Sequence, residues 1–542
     1  MRRAWPLRRA SALALTVAIG TVCPGLSPVP AMAQDSPPDG EGYYATPPPL
    51  GNTAPPTDTG RPDKPYVKQV GCVERDLGRD VIPRETPWGQ QYLRINEVHD
   101  LMRSTVGSVG RYPGGEPVRV AVIDTGITNH PFFNGRVQGV EDYVADTASG
   151  PGLEDCDGHG TEVAGIIAAN TTPDIGFNGV APEVQILSIR QSSQNYSVDD
   201  SASQSSGGND NAGGEDGNDP GSGGDTGGEG QPNALRSPTD PTDTAPAQNG
   251  GRTQEEEDAA GTLDTLAQAV VRATDENADV INISINNCRP ADGNIGEGER
   301  KLQAAVRYAV DNDVVVVAAA GNTGENCPQN DQRDPGKPKT IVTPPWFAED
   351  VLSVAAIDET GSVADFSVHG PWVTVAAPGT GITSLDPAVG SGGLANLTIE
   401  NGEPQQIQGT SFAAPYVSGV AALVRAKYPD LTARQVMYRI AYTAQHPAAS
   451  GGRDNFIGYG IIDPMAALTA TVPSEEGIEP ARAEALPSDL PMTDNRDWTP
   501  MVVALAGSGG ALMALIITLF VVHTIRRNRT AQTRPEDSRK RV

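Results

Sequence analysis

The sequence has few basic residues for its length. Its 542 residues include 40 lysines and arginines against 68 aspartates and glutamates, which gives a formal net charge of −28 at pH 7. Proteins that bind nucleic acids neutralise phosphates with a basic surface, so this balance argues against a nucleic-acid partner. A chain of this length has room for more than one domain.

Cysteine is also scarce. The chain has five cysteines and no CxxC pair, which makes a structural zinc site a poor interpretation. Cys23 lies in an N-terminal segment that we expect to be removed, and lipoprotein cleavage there is disfavoured because the bulky Val22 precedes it. The remaining even number in an exported chain indicates two disulfides with three possible pairings. These four cysteines are Cys72, Cys156, Cys288 and Cys327.

The N-terminus has the pattern of an export signal. The first nine residues hold four arginines, an apolar stretch of about a dozen residues follows, and Ala31-Met32-Ala33 forms a small-x-small cleavage site. This order predicts a secretory signal peptide over residues 1–33. An N-terminal membrane anchor is the alternative, but the apolar run is short for one.

A second apolar run lies near the C-terminus. Residues 501–523 carry no formal charge, and as a helix they would span about 34 Å, enough to cross a bilayer. Basic residues follow, and positive residues stay in the cytoplasm, so we predict a single-pass helix, an external body and a basic cytoplasmic tail over 524–542. Ala506, Gly510 and Ala514 recur at every fourth position, which permits close helix packing; a plain lipid-facing anchor is the alternative.

Three segments have the composition of unfolded chain. Residues 34–65 are rich in proline, glycine and aspartate, and residues 471–500 form a proline- and acid-rich stalk. Residues 191–258 contain 14 acidic residues, two arginines and almost no large apolar residue. They cannot bury enough surface to offset their ordering entropy, so we predict a disordered acidic insertion loop. Its role as an entropic spacer, a processing site or a docking loop is left open.

The rest of the chain alternates buried strands with helices. VRVAVID (118–124), VQILSIR (184–190), DVINISI (279–285) and VVVVAAAGN (314–322) are short apolar runs, and amphipathic stretches precede the last two. This alternation predicts an α/β domain over residues 98–470 with a mainly parallel sheet covered on both faces. Functional groups in such folds gather at the carboxyl ends of the strands.

Four polar residues stand at strand or loop ends. They are Asp124, His159, Asn322 and Ser411. Each alone has an ordinary explanation: a turn aspartate, a structural histidine, a turn asparagine and a helix-capping serine. His130 is a rival histidine, but its place before Pro131 makes it a turn residue.

The four residues together supply one reaction. A serine hydroxyl becomes a nucleophile when a histidine takes its proton, and a buried aspartate fixes the histidine tautomer. An asparagine amide and the serine backbone N–H can stabilise the oxyanion. We therefore predict that Ser411 attacks, His159 transfers the proton, Asp124 orients it and Asn322 binds the oxyanion.

The order and the motifs of these residues resemble the subtilisin-like serine proteases. VAVIDTGI, GHGTEVAG, AAAGN and GTSFAAP are similar to that family's Asp, His, Asn and Ser motifs, and VTVAAPG and YGIIDPMAAL stand where the family has similar segments. The resemblance implies a three-layer subtilisin-like fold. It also implies that Ser284, Ile285 and Asn286 form the strand that pairs with substrate backbone.

The chain departs from that pattern at three points. Asn286-Asn287 replace the small glycines that usually follow the substrate strand. Glu162 replaces the histidine that commonly follows GHGT, and Phe412 replaces the methionine that commonly follows the nucleophile.

The overall layout narrows the resemblance to the mycosins, the membrane-anchored subtilases of actinobacterial type VII secretion. This resemblance implies the pairings Cys72–Cys156 and Cys288–Cys327. We also predict that an N-terminal extension over 34–97 wraps the core and does not act as a foldable inhibitor, because it lacks a clear strand–helix–strand pattern.

The sequence therefore predicts a membrane-anchored extracytoplasmic serine endopeptidase with polypeptide substrates, associated with the type VII secretion membrane complex. The alternative is that the protein is a structural component of that complex and that its proteolytic activity is secondary. A third hypothesis is a general protein-degrading enzyme. No cofactor or metal is expected; calcium sites, which the wider family often has, show no readable motif.

Overall fold

The structure is a computed structural model of the chain. It describes residues 42–79, 81–198, 259–330, 336–400, 402–477 and 499–531. The predicted signal peptide, most of the acidic insertion and most of the stalk lie outside these residues. The chain divides into two compact units, Met1–Ile478 and Glu479–Val542, which are described separately.

The secondary-structure elements of the first unit have the following bounds. The strands are β1 (Tyr66–Lys68), β2 (Arg75–Asp76), β3 (Arg119–Asp124), β4 (Val137–Asp142), β5 (Gln185–Arg190), β6 (Ser193–Val198), β7 (Ala259–Ala260), β8 (Val280–Ile283), β9 (Asn287–Pro290), β10 (Val315–Ala319), β11 (Thr340–Thr343), β12 (Leu352–Ile357), β13 (Val375–Pro378), β14 (Ser384–Leu385), β15 (Leu394–Ala395), β16 (Leu397–Glu400) and β17 (Glu403–Gln406). The α-helices are α1 (Trp88–Tyr92), α2 (Ile95–Thr105), α3 (His159–Ala168), α4 (Leu263–Asp275), α5 (Glu297–Asp311), α6 (Thr410–Lys427), α7 (Ala433–Tyr442) and α8 (Pro464–Thr469).

A seven-stranded parallel sheet forms the centre of this unit. Its strand order is β13-β12-β10-β8-β3-β5-β4. Strands β8, β10, β12 and β13 are buried along their whole lengths, as expected for a parallel sheet covered on both faces. The predicted α/β fold with a mainly parallel sheet is confirmed.

Two helical layers cover the sheet. Helices α4 and α5 pack together on one face, and α3 and α6 pack together on the other. Helix α4 begins at a capping box, in which Thr262 Oγ1 accepts from the Thr265 N–H at 3.2 Å. Helix α6 is apolar almost all round and is buried from Thr410 through Ala426, so it lies inside the core.

The start of the predicted insertion is ordered, which corrects its boundary at residue 191. Residues Ser193–Val198 form β6, which pairs with β1 of the extension and with β7 on the far side of the insertion. This strand, SQNYSV, is polar because it lies in a small peripheral sheet, and apolar patterning does not reveal such a strand. Residues 199–258 lie outside the described part of the chain.

The N-terminal extension contacts elements that are distant in sequence. The Tyr43 N–H donates to the carbonyl of Gly293 at 2.9 Å, and Thr59 Oγ1 donates to Gln268 Oε1 at 2.7 Å. Further along, β1 pairs with β6 and β2 pairs with β16. The described part of the extension therefore lies against several faces of the core.

The predicted boundary between extension and core, at residues 97 and 98, falls inside α2. Ile95, Val98 and Met102 on this helix are fully buried in the main core. The helix is amphipathic, and its apolar face belongs to the catalytic domain from its first residue.

The second unit contains one long helix, α9 (Thr499–Ala531). It is long and apolar enough to cross a membrane, with a mean hydropathy of 2.2 in its most apolar window. The predicted span of 501–523 lies within it, and the helix continues through the basic residues that follow.

Candidate active site

Three neighbouring strands bring the first functional residues to one edge of the sheet. The order β10-β8-β3 places β8 between the other two, and Ile283 is in register with Ile123 on one side and Ala318 on the other. Asp124 ends β3, Ser284 follows β8, and Asn322 follows β10. The carboxyl ends of parallel strands form a common edge, so residues far apart in sequence meet there.

His159 binds the carboxylate that ends β3. Its Nδ1 lies 2.7 Å from Asp124 Oδ1, and both side chains are buried. The Thr125 N–H donates to the same oxygen at 2.8 Å, which fixes the carboxylate. Gly160 allows this approach, because a Cβ there would collide with the carbonyl oxygen of Gly126.

Asp155 holds the histidine loop, a role that the sequence motifs do not predict. Its Oδ1 accepts from Thr125 Oγ1 and from the Gly158 N–H, each at 2.8 Å. Its Oδ2 accepts from the Thr161 N–H at 2.7 Å and from Thr161 Oγ1 at 2.6 Å. One buried carboxylate therefore ties the loop of Asp124 to the first turn of α3. The only sequence signal was an acidic residue shortly before the GHGT motif.

Asn322 and Ser411 meet at the start of α6. A Cβ placed on Gly409 would lie 2.9 Å from Ser411 Oγ and 3.3 Å from Asn322 Nδ2, so both groups face the same point. Asn322 Oδ1 accepts from the Thr410 N–H at 3.0 Å and from Thr410 Oγ1 at 2.9 Å. These bonds orient the amide so that its Nδ2 donor turns towards the serine.

The reacting ends of the triad are open for chemistry. Ser411 Oγ and His159 Nε2 are buried and have no hydrogen-bond partner among the described residues. Hydrogen bonds between a nucleophile and its base are often long without substrate and tighten in the complex. The ring of Phe412 packs against His159 with centroids 5.0 Å apart, so this departure from the family pattern limits movement of the imidazole.

The electrostatics favour a protonated histidine. Burial alone lowers the pKa of His159, but the adjacent carboxylate of Asp124 outweighs it, and the pKa rises from 6.5 to about 9. Glu162 and Asp155 add to the rise. The arrangement therefore stabilises a positively charged imidazolium at this position.

Residues 284–286, predicted to form the strand that pairs with substrate backbone, lie in no strand of the structure: β8 ends at Ile283 and β9 begins at Asn287. None of the described strands pairs with them, and Ser284 is instead hydrogen bonded to the nucleophile's own backbone. Ser284 Oγ donates to the carbonyl of Ser411 at 2.9 Å and accepts from Asn282 Nδ2 at 2.8 Å. Ile285 packs into the core and Asn286 is 2% exposed. The Ser284 hydroxyl is thus engaged internally, which leaves the backbone of this segment as the group able to pair with substrate.

Glu162, a departure from the family motif, is neutralised from the extension. Its carboxylate is fully buried on α3, and its Oε1 accepts from Arg75 Nε at 2.6 Å. Arg75 also donates to Thr398 Oγ1 at 2.7 Å and to the carbonyl of Asp157 at 3.1 Å. Burial raises the pKa of Glu162, and the guanidinium of Arg75 opposes that rise. The extension therefore supplies the countercharge for an acid three residues after His159.

Two disulfides brace the site. Cys72–Cys156 joins the extension to the loop before His159, and Cys288–Cys327 joins β9 to the loop after Asn322. These are the pairings that the resemblance implied. His130 serves a turn, as predicted: its Nδ1 accepts from the Phe132 N–H at 3.2 Å and caps a 3-10 turn. Within the described ranges, no cluster of three His, Cys, Asp or Glu side chains that could hold a metal ion occurs.

Known proteins that resemble this chain in sequence indicate the family to which it belongs. Residues 115–460 match the subtilase family model, Peptidase S8. Mycosin-1 of Mycolicibacterium smegmatis is 36% identical over 484 residues, which cover 86% of this chain and 92% of the relative. Mycosin-1 of Mycobacterium tuberculosis is 37% identical over 478 residues, covering 85% and 91% respectively.

Solved structures show the same relationship. The crystal structure of MycP1 from Mycobacterium smegmatis has a TM-score of 0.62 at 35% identity and covers 81% of this chain and 99% of its own. A chain in the structure of an intact ESX-5 inner membrane complex has a TM-score of 0.60 at 34% identity, covering 87% and 98% respectively. The chain thus belongs to the subtilase family of serine endopeptidases and, within it, to the mycosins.

Proposed function

We propose that this chain hydrolyses peptide bonds of extracytoplasmic polypeptides through Asp124, His159 and Ser411. Ser411 Oγ attacks the scissile carbonyl carbon while His159 Nε2 takes the hydroxyl proton. The negative charge that develops on the carbonyl oxygen is stabilised by Asn322 Nδ2 and the Ser411 N–H. His159 then gives its proton to the leaving amine, and water repeats the sequence on the acyl-enzyme.

The relative positions of Asp124, His159, Asn322 and Ser411 support this proposal. Asp124 holds His159 through Nδ1, which leaves Nε2 as the atom that exchanges protons. Ser411 Oγ and Asn322 Nδ2 face one point beside Gly409, so a carbonyl there meets nucleophile and donor together. Both parts of the reaction are therefore preset before substrate arrives.

Peptide hydrolysis by the full chain in detergent tests the residue roles. We expect Ser411→Ala to lower kcat by on the order of 10⁴-fold or more, because no other described group replaces the nucleophile. Ser104→Ala, on an exposed turn of α2, is the matched control and should cleave at the unmodified rate. Equal cleavage by both variants would remove Ser411 from the mechanism.

Membrane attachment and orientation follow from the C-terminal helix. Helix α9 is apolar enough to span a bilayer and ends in arginines, which favours a cytoplasmic C-terminus and an external catalytic domain. The predicted export signal agrees with this orientation. Protease protection of tagged termini in vesicles tests it: a tag at the C-terminus should be protected on the same side as a cytoplasmic marker.

Association with a type VII secretion membrane complex is a second part of the proposal. Its support is the similarity to a chain of the ESX-5 inner membrane complex across 87% of this sequence. The same similarity favours a second candidate function, a structural component whose proteolysis is secondary. Two strains separate these functions: one lacks the gene, and the other carries only the Ser411→Ala variant. If secretion survives in the second strain but not in the first, the scaffold role is assigned.

General protein degradation is distinguishable from both. Such an enzyme would cleave many unfolded proteins without preference, whereas a processing enzyme cleaves few. Substrate profiling beside Ser411→Ala gives the number and sequences of the sites cut.

A further inference from the structure

Asn286 is buried beside the active site with its side-chain amide unpaired. The residue is 2% exposed, and neither Oδ1 nor Nδ2 has a hydrogen-bond partner in the part of the chain that the structure describes. Native proteins pair the large majority of buried polar atoms, because an unpaired one carries its full desolvation cost. Because neither Oδ1 nor Nδ2 is paired, we expect a ligand to supply the missing hydrogen bonds.

The position of this amide relates it to the reacting groups. Asn286 Oδ1 lies 3.6 Å from the point that a Cβ would occupy on Gly321, the residue directly before Asn322. Val342 Cγ1 lies 3.0 Å from the same point. The amide and the Val342 side chain thus both lie close to the backbone of Gly321, next to the oxyanion-binding residue.

A substrate side chain must enter this neighbourhood. The scissile carbonyl has its oxygen at Asn322 Nδ2 and its carbon at Ser411 Oγ in the proposed mechanism. The Cα of the residue on the acyl side is one bond of about 1.5 Å from that carbon. Its side chain therefore begins within a few ångströms of Gly321, on the side where the substrate backbone pairs with the segment ending in Asn286.

We propose that Asn286 determines specificity by hydrogen bonding the side chain of the residue on the acyl side of the scissile bond. The preferred side chains are uncharged and polar, with an amide or hydroxyl group. This inference rests on the proposed function and adds its substrate class. A side-chain amide offers two donors and an acceptor, so it can donate a hydrogen bond to such a group or accept one from it.

The same geometry disfavours other side chains. An apolar side chain of equal shape leaves the buried amide unpaired, and sites of this kind discriminate strongly against it. A negatively charged side chain finds no free positive charge on the neighbouring β9, because its one basic residue, Arg289, already pairs with Glu299 and Asp292. A positively charged side chain finds no acidic residue on this strand. The glycine that the family usually places here would offer no polar group at all.

Competition between matched inhibitors tests the inference. A fluorophosphonate probe reacts with Ser411 whatever the substrate preference, and peptide aldehydes compete with it. The aldehyde carbon bonds to Ser411 Oγ, the hydroxyl proton passes to the carbonyl oxygen through His159, and a hemiacetal forms. Two pairs of aldehydes differ only at the acyl-side residue, Thr against Val and Asn against Leu.

The full chain should distinguish the members of each pair. We expect the Thr and Asn aldehydes to block labelling at concentrations about tenfold lower than Val and Leu, the effect of one hydrogen bond lost from a buried amide. In Asn286→Gly the ratio should fall to about one, with the rate of labelling by the probe alone measured for each variant as its own reference. Asn294→Gly, the same change in an exposed loop, should keep the original ratio.

The outcomes separate this inference from the proposed function. Equal competition by Thr and Val aldehydes in the unmodified chain, or an unchanged ratio in Asn286→Gly, would overturn the role of Asn286 alone. Failure of the probe to label Ser411 would overturn the proposed function and the inference with it. If Asn286→Gly does not fold, Asn286→Leu serves in its place and should prefer Val over Thr.

Discussion

At the scale of single residues, the base of the reaction is set by its surroundings. Burial lowers the pKa of His159, and Asp124 raises it further than burial lowers it. The catalytic form is the neutral imidazole, which is depleted below the pKa and restored above it. We therefore expect the enzyme to be active mainly at pH values above the ordinary pKa of histidine.

The pH dependence of peptide hydrolysis checks this. We expect kcat/KM to rise with pH through a midpoint well above 6.5, the ordinary histidine value. Asp124→Asn removes the charge that raises the pKa, so its midpoint should move to lower pH and its rate should fall by about 10⁴-fold. A midpoint at or below 6.5 in the unmodified enzyme contradicts the electrostatic account.

Asp155 is the second residue whose substitution is informative. Its carboxylate accepts four hydrogen bonds from Thr125, Gly158 and Thr161. Asp155→Ala leaves these buried donors unpaired, so we expect it to lower the free energy of unfolding by about 3 kcal/mol or more. The rate should fall by about 10²-fold as His159 loses its position.

Denaturant unfolding and hydrolysis rates measure the two effects. Asp292→Ala, at an exposed loop position, is the matched control and should change neither by much. Unfolding of Asp155→Ala at the same denaturant concentration as the unmodified chain would show that these hydrogen bonds do not hold the loop.

At the scale of elements, the sequence predicts the parts of the site that lie on the central sheet. Asp124, Ser284 and Asn322 follow apolar runs, and apolar runs of this kind form buried parallel strands whose ends meet. The four motifs then place His159 and Ser411 at helix starts. These elements were predictable because the local sequence of each one is enough to identify it.

Contacts between distant segments were not predictable in the same way. Arg75 and Glu162 are 87 residues apart, and nothing in either local pattern points to the other. Strand β6 is polar and owes its existence to pairing with β1 across more than a hundred residues. Asn286 was expected in the substrate strand, but only the packing around it shows that its amide is unpaired.

The ion pair between β2 and α3 gives an element-scale prediction. Arg75→Met leaves the carboxylate of Glu162 buried without its countercharge, and we expect a loss of about 3–5 kcal/mol in unfolding free energy. Arg75→Met combined with Glu162→Met replaces both charges by apolar groups and should recover most of that loss.

Thermal or denaturant unfolding of the single and double variants measures the recovery. The exposed pair Arg103 and Asp100 on α2 provides a control cycle, for which coupling should be no more than about 1 kcal/mol. A double variant less stable than Arg75→Met alone would mean that the pair does not act as a unit.

At the scale of the whole molecule, the extension and the catalytic domain form one folding unit. A disulfide, the pair Arg75–Glu162 and two small sheets join them. Helix α2, which directly follows the extension, belongs to the catalytic domain and buries Ile95, Val98 and Met102 in the main core. Much of the negative charge of the chain lies in the insertion 199–258, so the net charge says little about the surface around the active site.

Truncation tests this unity. A chain that begins at Val118 loses the three buried side chains of α2, each contributing about 1.5–3 kcal/mol. Together with Arg75 and Cys72, this loss is comparable to the whole stability of a typical domain, so we expect no folded protein. A chain that begins at residue 42 keeps Cys72, Arg75 and helix α2 and should fold. Normal folding from Val118 would show that the extension is dispensable.

If Asp124, His159 and Ser411 form a working triad, a fluorophosphonate reacts with Ser411, and the mass of the enzyme after this reaction measures it. We expect a single adduct, located on Ser411 by peptide mapping, absent in Ser411→Ala and formed far more slowly in His159→Ala and Asp124→Asn. An unmodified chain that is folded, with both disulfides formed, yet gains no adduct, or gains one at a different residue, would contradict it.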